Sequence, residues 1–442
     1  MAVAVVQQTL GEIVVEVSRL CGYLQNQGPA TAGSTTSLTD ATNAQTPTAN
    51  VNLIKGQYLY VWGGTSAGTA KEINAYGTIG VFGWTAAATA PDSTSTWVRL
   101  TKNPRRILDA IDAVTRQAAF QQAIPVVSDS IITNNLLECY GAMEGWSSGT
   151  AVAPDGWTLS GSGAAVARDA GSAARHMQGN YQASLTPGSG AVGILSRTIP
   201  MRLVRLCTGK SVRIRGFFAA NAASDAVVRL ISRDSGATDT NTDRTSTYTG
   251  SNVEDIDDIS TASINLPDPV TRLEVQLRGV ANASAMQFDA VFVGGPPIRD
   301  YDILPELIGI ASPIYMESDW AKGDYNIRLH YGDTWRLRRK DVGISGETTN
   351  RGIIFNTDLP PGRNLRMNAY RAPDIQATTT SNVEPNPEWL SRAAARRLLE
   401  EDYPTEGSQA RLSSVERWFG DASNRDTIYP NRGKRIAWSE RV

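Results

Sequence analysis

Two stretches decide how this chain folds: Gly156-Trp157-Thr158-Leu159-Ser160-Gly161-Ser162-Gly163-Ala164-Ala165-Val166-Ala167-Arg168 and Met286-Gln287-Phe288-Asp289-Ala290-Val291-Phe292-Val293. Each alternates apolar and polar residues as a half-buried strand does. They mark the opening and closing parts of a β-rich block, 138–297, and the segments on either side read as two halves of one helix-and-sheet unit. The expected fold is therefore α+β and β-rich: a discontinuous helix-plus-antiparallel-sheet domain (1–137 and 298–403), an inserted β-sandwich (138–297), and an extended carboxy-terminal tail (404–442). That layout points to a scaffold carrying a display domain rather than to an enzyme.

The composition supports this organisation. A length of 442 residues is too long for one small core and predicts two or three domains. With 41% hydrophobic residues, 39 Gly and 21 Pro, the chain can bury ordinary cores and join many short strands by turns. The formal net charge of -2 provides no global field toward nucleic acid or an anionic membrane, so any DNA contact has to be local. Cys21, Cys139 and Cys207 are far apart and lack metal-site spacing, which makes them small buried apolar residues. No run reaches transmembrane length, and Met1-Ala2-Val3-Ala4-Val5-Val6 lacks the basic n-region of a signal peptide, so folding in a reducing cytoplasm is expected.

The flanks carry readable helix signals. Thr9 with Glu12 forms a capping box ahead of Leu10, Ile13, Val14, Val17, Leu20 and Leu24, predicting a helix to about residue 25. Residues 28–48 hold little to bury and are expected to form a loop or extended arm. Strands are expected at 57–62, 71–76, 80–84 and 97–100, then a helix opened by Asn103-Pro104 with Ile107, Ile111, Val114 and Ala118 on one stripe. Beyond the block, strands are expected at 326–331, 334–339, 353–355 and 364–370, followed by a helix from Asn386-Pro387 through Trp389, Leu390, Ala394, Leu398 and Leu399. The tail is polar with isolated anchors Trp418, Phe419, Tyr429 and Trp438, a composition suited to lying along a partner.

Little in the sequence supports catalysis. Only His176 and His330 exist, and no Gly-x-Ser-x-Gly elbow is present. The glycines of 63–68 precede Lys71 at the wrong distance for a P-loop and read as a β-turn. Glu254, Asp255, Asp257 and Asp258 match no cation or glycosidase spacing and read as a solvated acidic loop. Trp146, Trp157, Tyr181, Phe217, Phe218 and Phe292 are candidates for stacking against a sugar ring, although most of them, Trp157 above all, suit the sandwich interior. Arg336, Arg338, Arg339 and Lys340, and later Arg432, Lys434 and Arg435, are local positive groups for phosphate contact or, more simply, for salt bridges.

The central block resembles the jelly-roll carbohydrate-binding modules of the galactose-binding-like type, through Asp155-Gly156-Trp157, Tyr181-Gln182-Ala183-Ser184-Leu185-Thr186, Gly193-Ile194-Leu195-Ser196-Arg197-Thr198-Ile199, Gly209-Lys210-Ser211-Val212 and Phe288-Asp289-Ala290-Val291. In such modules the closing aspartate often helps hold a structural calcium, which implies Asp289 as a metal ligand here.

The flanks resemble head-to-tail connector proteins of tailed bacteriophages, of the adaptor or neck type. The resembling pieces are the first helix, Ala30-Thr31-Ala32-Gly33-Ser34-Thr35-Thr36-Ser37-Leu38, Gly63-Gly64-Thr65-Ser66-Ala67-Gly68, Asn103-Pro104, and Leu359-Pro360-Pro361-Gly362-Arg363-Asn364-Leu365-Arg366-Met367 running into Tyr370-Arg371-Ala372-Pro373. The resemblance implies a non-enzymatic virion protein made in the host cytoplasm, forming a homo-oligomeric ring of about twelve copies. Its implied partners are the portal protein and tail or nozzle proteins, with DNA passing through unread and no membrane contact. The alternative is a phage tail or fibre protein whose sandwich binds host-surface glycans. A cellular carbohydrate-binding protein or glycosidase fragment using Asp257 or Asp258 is a further one.

Overall fold

The computed structural model describes residues 8–42, 54–77, 80–117, 119, 121–169, 180–220, 225–245, 257–258, 264–318, 324–338, 351–374, 378–402, 406–428, 430 and 436–438. The fold is α+β and β-rich, with antiparallel sheets throughout its strand-rich regions. It divides into two compact units, Met1–Ile124 with Ala372–Lys434, and Pro125–Arg371 with Arg435–Val442.

The first unit is built from two stretches remote in sequence. Its helix Leu10–Cys21 opens on the full capping box: the Glu12 N–H donates to Thr9 Oγ1 at 3.3 Å, and the Thr9 N–H donates to Glu12 Oε2 at 2.8 Å. These bonds satisfy two amide donors that a helix start otherwise leaves unpaired. Gly22, with φ 76°, ends the helix earlier than the apolar spacing alone suggested, because the left-handed conformation there turns the chain out. Ile13, Val14 and Val17 face Ile107 and Ile111 of the helix Pro104–Gln117 and Trp389, Leu390 and Leu398 of the helix Pro387–Glu401 in one apolar core. Asn386 caps the latter, accepting from the amides of Glu388 and Trp389.

Two four-stranded sheets complete this unit. In one the order is Leu24–Pro29, Thr96–Leu100, Tyr58–Gly63, Ala70–Glu72; in the other it is Ala32–Ser34, Ser37–Thr39, Val81–Gly83, Ala75–Gly77. Of residues 28–48, expected as a loop or arm, the stretch 28–39 is thus largely strand. Leu38 is the apolar anchor, fully buried in a cluster with Phe82 and Trp97.

The expected extended tail is also corrected. Glu406–Gly420 is a helix, and Leu412, Val415, Trp418 and Phe419 pack on the same core as Pro387–Glu401. Leu412, Val415 and Phe419 recur at the i, i+3, i+7 spacing of an amphipathic face, a period hidden by the surrounding polar residues. Arg392 lies 4.9 Å above the Trp418 ring, and Trp418 Nε1 donates to Glu388 Oε1. Further on, Ile436–Trp438 adds a strand to Leu307–Ala311 in the second unit. Tyr429 lies outside the described residues.

The second unit contains a two-sheet sandwich. Its first sheet orders the strands Thr158–Ser160, Gly193–Thr198, Val270–Gly279, Ala226–Asp234 and Asp239–Thr245; its second orders Ala165–Asp169, Gln182–Thr186, Met286–Gly294, Ser211–Ala219 and Asp257–Asp258. Leu195, Leu230, Val275 and Leu277 of the first sheet and Leu185, Met286, Phe288 and Ile214 of the second fill the interior. Trp157 is buried there as expected, its Nε1 donating to the Tyr140 carbonyl at 2.9 Å.

The strands after residue 297 extend this core. Asp300–Asp302, Gly352–Phe355 and Trp335–Arg338 form one sheet, and Ile327–Leu329, Ile314–Met316, Asn364–Arg371, Leu307–Ala311 and Ile436–Trp438 form another. Tyr301, Ile310, Trp335 and Met367 belong to the same apolar cluster as Phe288. The compact unit accordingly closes at Arg371, not at 297, where the sequence reading placed the end of the insert. Tyr301 fixes that continuity: its hydroxyl accepts the Asn134 N–H at 2.7 Å and donates to the Ile298 carbonyl at 3.0 Å.

Candidate functional site: the outer face of the first sandwich sheet

Alternation along Val270–Gly279 sends Leu273, Val275 and Leu277 inward and Arg272, Glu274, Gln276 and Arg278 outward. Its neighbours do the same, with Arg229 and Arg233 outward from Ala226–Asp234 and Ser196 outward from Gly193–Thr198. Antiparallel register sets these side chains in cross-strand rows. One row runs Thr158, Ser196, Gln276, Arg229, Asp243. The next runs Ser160, Ile194, Arg278, Val227. The rows on the other side carry Glu274 opposite Ile231, and Arg272 opposite Arg233 and Asp239.

The charges on this face are mostly paired. Arg229 grips Asp243 with two bonds, Nε to Oδ1 and Nη2 to Oδ2, both 2.6 Å. Arg233 repeats the fork on Asp239 at 2.7 and 2.8 Å. Glu274 accepts from Arg272, and from Gln276 Nε2 at 2.7 Å. Bidentate bonding holds the Asp239 and Asp243 carboxyls below the usual carboxylate range. Arg278 makes no hydrogen bond or ion pair with any described residue. The result is a rigid, hydrogen-bonding surface with hydroxyl, amide, guanidinium and carboxylate groups at successive strands.

Several residues singled out from the sequence lie elsewhere. Trp146, Trp157 and Phe292 are buried, and Tyr181 is half-buried beneath the Arg168 guanidinium, 4.2 Å from its ring centroid. None of these offers an open ring face; the side chains of Phe217 and Phe218 lie outside the described residues. Tyr331 is the one strongly exposed aromatic among the described residues, on the turn before Trp335.

Asp289 is buried in the second sheet, its Oδ1 accepting the Ala290 N–H at 2.6 Å, with Ala290 at φ 46°. Nearby, burial pushes the Glu144 carboxyl up to about 8 despite the amides of Tyr181 and Asn180 that donate to it. Among the described residues no group of three or more His, Cys, Asp or Glu is placed to hold a metal ion.

Glu254, Asp255 and the side chains of Asp257 and Asp258 lie outside the described residues, as do His176, Arg339, Lys340, Arg432, Lys434 and Arg435. Arg338 is not a free cation for phosphate. It is committed to Asp300, at 2.7 Å, and to Asp302, in a partly buried cluster that also holds Arg202 and Glu138. The segment between Ala70 and Gly63 is a tight turn, and Lys71 Nζ donates to the Ala86 carbonyl at 2.9 Å, in keeping with a turn and not a phosphate loop.

The residues of the outer face were missed as a site, although Val270-Thr271-Arg272-Leu273-Glu274-Val275-Gln276-Leu277-Arg278 is a clean alternation in the sequence. What was missing was register: alternation gives one face of one strand, and only pairing collects five strands into a surface.

No protein-family model matches this chain, and no curated protein does. Among solved structures, the chain is similar to the enzymatically active domain of tailspike protein 4 of bacteriophage CBA120, at 17% identity over 32% of this chain and 19% of that one, with a TM-score of 0.26. It is also similar to a xylan-binding domain, at 12% identity over 35% of this chain and 92% of that one (TM-score 0.27). A second xylan-binding domain, from Paenibacillus barcinonensis, matches at 14% identity over 37% of this chain and 96% of that one (TM-score 0.27).

Proposed function

We propose that this chain is a non-enzymatic virion protein of a tailed bacteriophage that contacts host-surface glycans through the outer face of its first sandwich sheet. The observation that carries the reading is the row Thr158, Ser196, Gln276, Arg229, Asp243. Strands lie ~4.8 Å apart, so the row presents donors and acceptors at intervals on the scale of one sugar ring. The paired ions around it are already ordered, which lowers the entropy lost when a flexible polysaccharide settles on it. The phage assignment is supported by the sequence resemblance of the flanks.

A second reading, the head-to-tail connector, is favoured by a different observation: two stretches remote in sequence, Met1–Ile124 and Ala372–Lys434, form one helix-plus-sheet unit. In that role the first unit forms a ring of about twelve copies with portal and tail or nozzle proteins around passing DNA.

A glycan array probed with the full-length protein tests the first reading, and negative-stain imaging tests the second. Signals on host polysaccharide that disappear when Gln276 and Ser196 are both replaced by Ala support glycan contact; an array blank for every glycan refutes it. Closed rings, alone or with portal protein, support the connector role, and a monomer under all conditions refutes it.

A further inference from the structure

The outer face carries four described arginines, 229, 233, 272 and 278, and three carboxylates, 239, 243 and 274. Each carboxylate pairs with an arginine: Asp243 with Arg229, Asp239 with Arg233, Glu274 with Arg272. The fourth, Arg278, has no hydrogen-bond or ion-pair partner among the described residues. Its row explains why: Ile194 on one side and Val227 on the other offer no acceptor. Asp243 attracts Arg278 from the adjoining row, while its two oxygens accept the fork of Arg229.

We infer that Arg278 is the receptor for a single anionic group, carboxylate or sulfate, on an acidic glycan lying across this sheet. The inference rests on the glycan-binding reading above and names its substrate class. A guanidinium presents five N–H donors in a planar fork that matches such oxyanions bidentately. Partial burial and the neighbouring Arg229 charge both disfavour the Arg278 cation, lowering its pKa, and an incoming anion relieves both. Ile194 and Val227, both half-buried, exclude some of the water that otherwise screens the pair. Ser160, in the same row, and Gln276 and Ser196, in the next, are then placed for the hydroxyls of the same sugar or its neighbour.

Nucleic acid fits this face poorly. Binding a polyphosphate requires several cations to displace counterions together, whereas three of the four arginines here are already neutralised by carboxylates that would repel the adjacent phosphates. One vacancy suits a polymer with sparse charges.

The test measures binding of the full-length protein to oligogalacturonate, to its neutral methyl ester, to a sulfated heparin oligosaccharide and to a DNA oligonucleotide. Binding of the carboxylated or the sulfated probe, weakened by added salt and about tenfold or more by Arg278→Ala, with part of the affinity kept by Arg278→Lys, is the expected result; the stronger of the two probes identifies the anion. Equal binding of acid and ester, or acid binding unchanged in Arg278→Ala, overturns the acidic class while leaving glycan contact standing. Preference for DNA overturns it as well. Failure on every glycan, neutral or charged, overturns both this inference and the reading beneath it.

Discussion

Tyr23 and Asp402, 379 positions apart, share a 2.5 Å hydrogen bond in which the phenol donates to the carboxylate Oδ2. Arg106 Nη2 reaches Asp402 Oδ1 at 3.2 Å, and Lys102 approaches the other oxygen at 3.7 Å. One carboxylate at the end of the helix Pro387–Glu401 thus ties together the segment after the first helix and the start of Pro104–Gln117. Burial raises the Asp402 pKa, but Tyr23, Arg106 and Lys102 outweigh it and hold the group below its ordinary value.

Replacing Tyr23 by Phe removes the donor and leaves the ring. The expected cost to the first unit is ~1–2 kcal/mol, as for a hydrogen bond to a charged group. The pH dependence has a definite sign. A carboxyl depressed by folding stabilises above its unfolded pKa and loses that contribution as the pH falls through the depressed value. Chemical denaturation followed by Trp389 or Trp418 fluorescence from pH 7 to pH 3 should show a shallower acid loss in Tyr23→Phe than in the wild type. Identical acid limbs would mean that this bond does not stabilise the unit.

Glu138 makes the opposite prediction in the second unit. Its side chain is fully buried, Oε1 accepts from Arg202 Nη2 at 2.5 Å and from the Asp302 N–H at 2.9 Å, and Oε2 has no hydrogen-bond partner among the described residues. Burial first, and then the Asp302 charge, push its pKa up to about 7, against the pull of Arg202. A raised carboxyl contributes stability that is complete below its unfolded value and is lost as the pH rises through about 7. Arg202, Arg338, Asp300 and Asp302 complete the cluster. Stability of this unit should therefore climb as the pH is lowered from 8 toward 5, and Glu138→Gln should flatten the slope, because an amide cannot take up the proton. A slope unchanged in Glu138→Gln would assign the effect to another group.

Gly156 tests the close packing under the sandwich. It adopts φ +76°, and a Cβ there would clash with the Arg197 guanidinium and meet the Tyr140 ring at 2.7 Å. Arg197 cannot easily move: it donates to the Gly156 carbonyl at 2.7 Å while lying 3.6 Å over the Tyr140 ring. Gly156→Ala combines backbone strain with overpacking, for an expected loss of ~2–4 kcal/mol. Thermal unfolding followed by the buried tryptophans would read it. A variant as stable as the wild type would show that this corner relaxes freely.

The elements legible in the sequence were those set by local rules. Thr9 with Glu12 and Asn386 with Pro387 mark helix starts through bonds made within four residues, and both caps form as read. Alternation along 364–370 likewise placed Leu365, Met367 and Ala369 on one buried face. What escaped depends on contacts remote in sequence. Residues 32–39 look featureless until Leu38 meets Trp97, and 406–420 look solvated until Val415 and Trp418 find Pro387–Glu401. The candidate site is the extreme case, since Ser196, Arg229 and Gln276 become one surface only through cross-strand register. That Arg278 has no acceptor among the described residues was legible only after its neighbours' partners were known.

The geometry of the insertion gives the strongest test of the architecture. Chain enters the second unit through the strand Ile124–Ile132 and leaves it through Asn364–Arg371, and these two strands pair. The Thr133 N–H donates to the Arg363 carbonyl at 2.8 Å, and Asp129 binds Arg366 by Oδ2 to Nη2, also at 2.8 Å. Partners that advance on one strand as they retreat on the other define an antiparallel pair, so the entry end near Pro125 lies opposite the exit end near Arg371. Paired strands are ~4.8 Å apart, and a spacer of a few glycines and serines spans that distance without strain. Joining Ile124 to Ala372 by such a spacer, and ending the chain at Lys434 so that the second unit's 435–442 are removed with it, should therefore give a soluble, cooperatively unfolding protein that retains the helices Leu10–Cys21, Pro104–Gln117 and Pro387–Glu401. The core formed by Ile13, Ile111 and Leu398 is supplied wholly by the retained segments, so its apolar burial survives the cut. Circular dichroism of the spliced protein would show the helical signal and a sigmoidal melt; an aggregated or non-cooperative product would mean that the two chain ends depend on the lobe between them to fold.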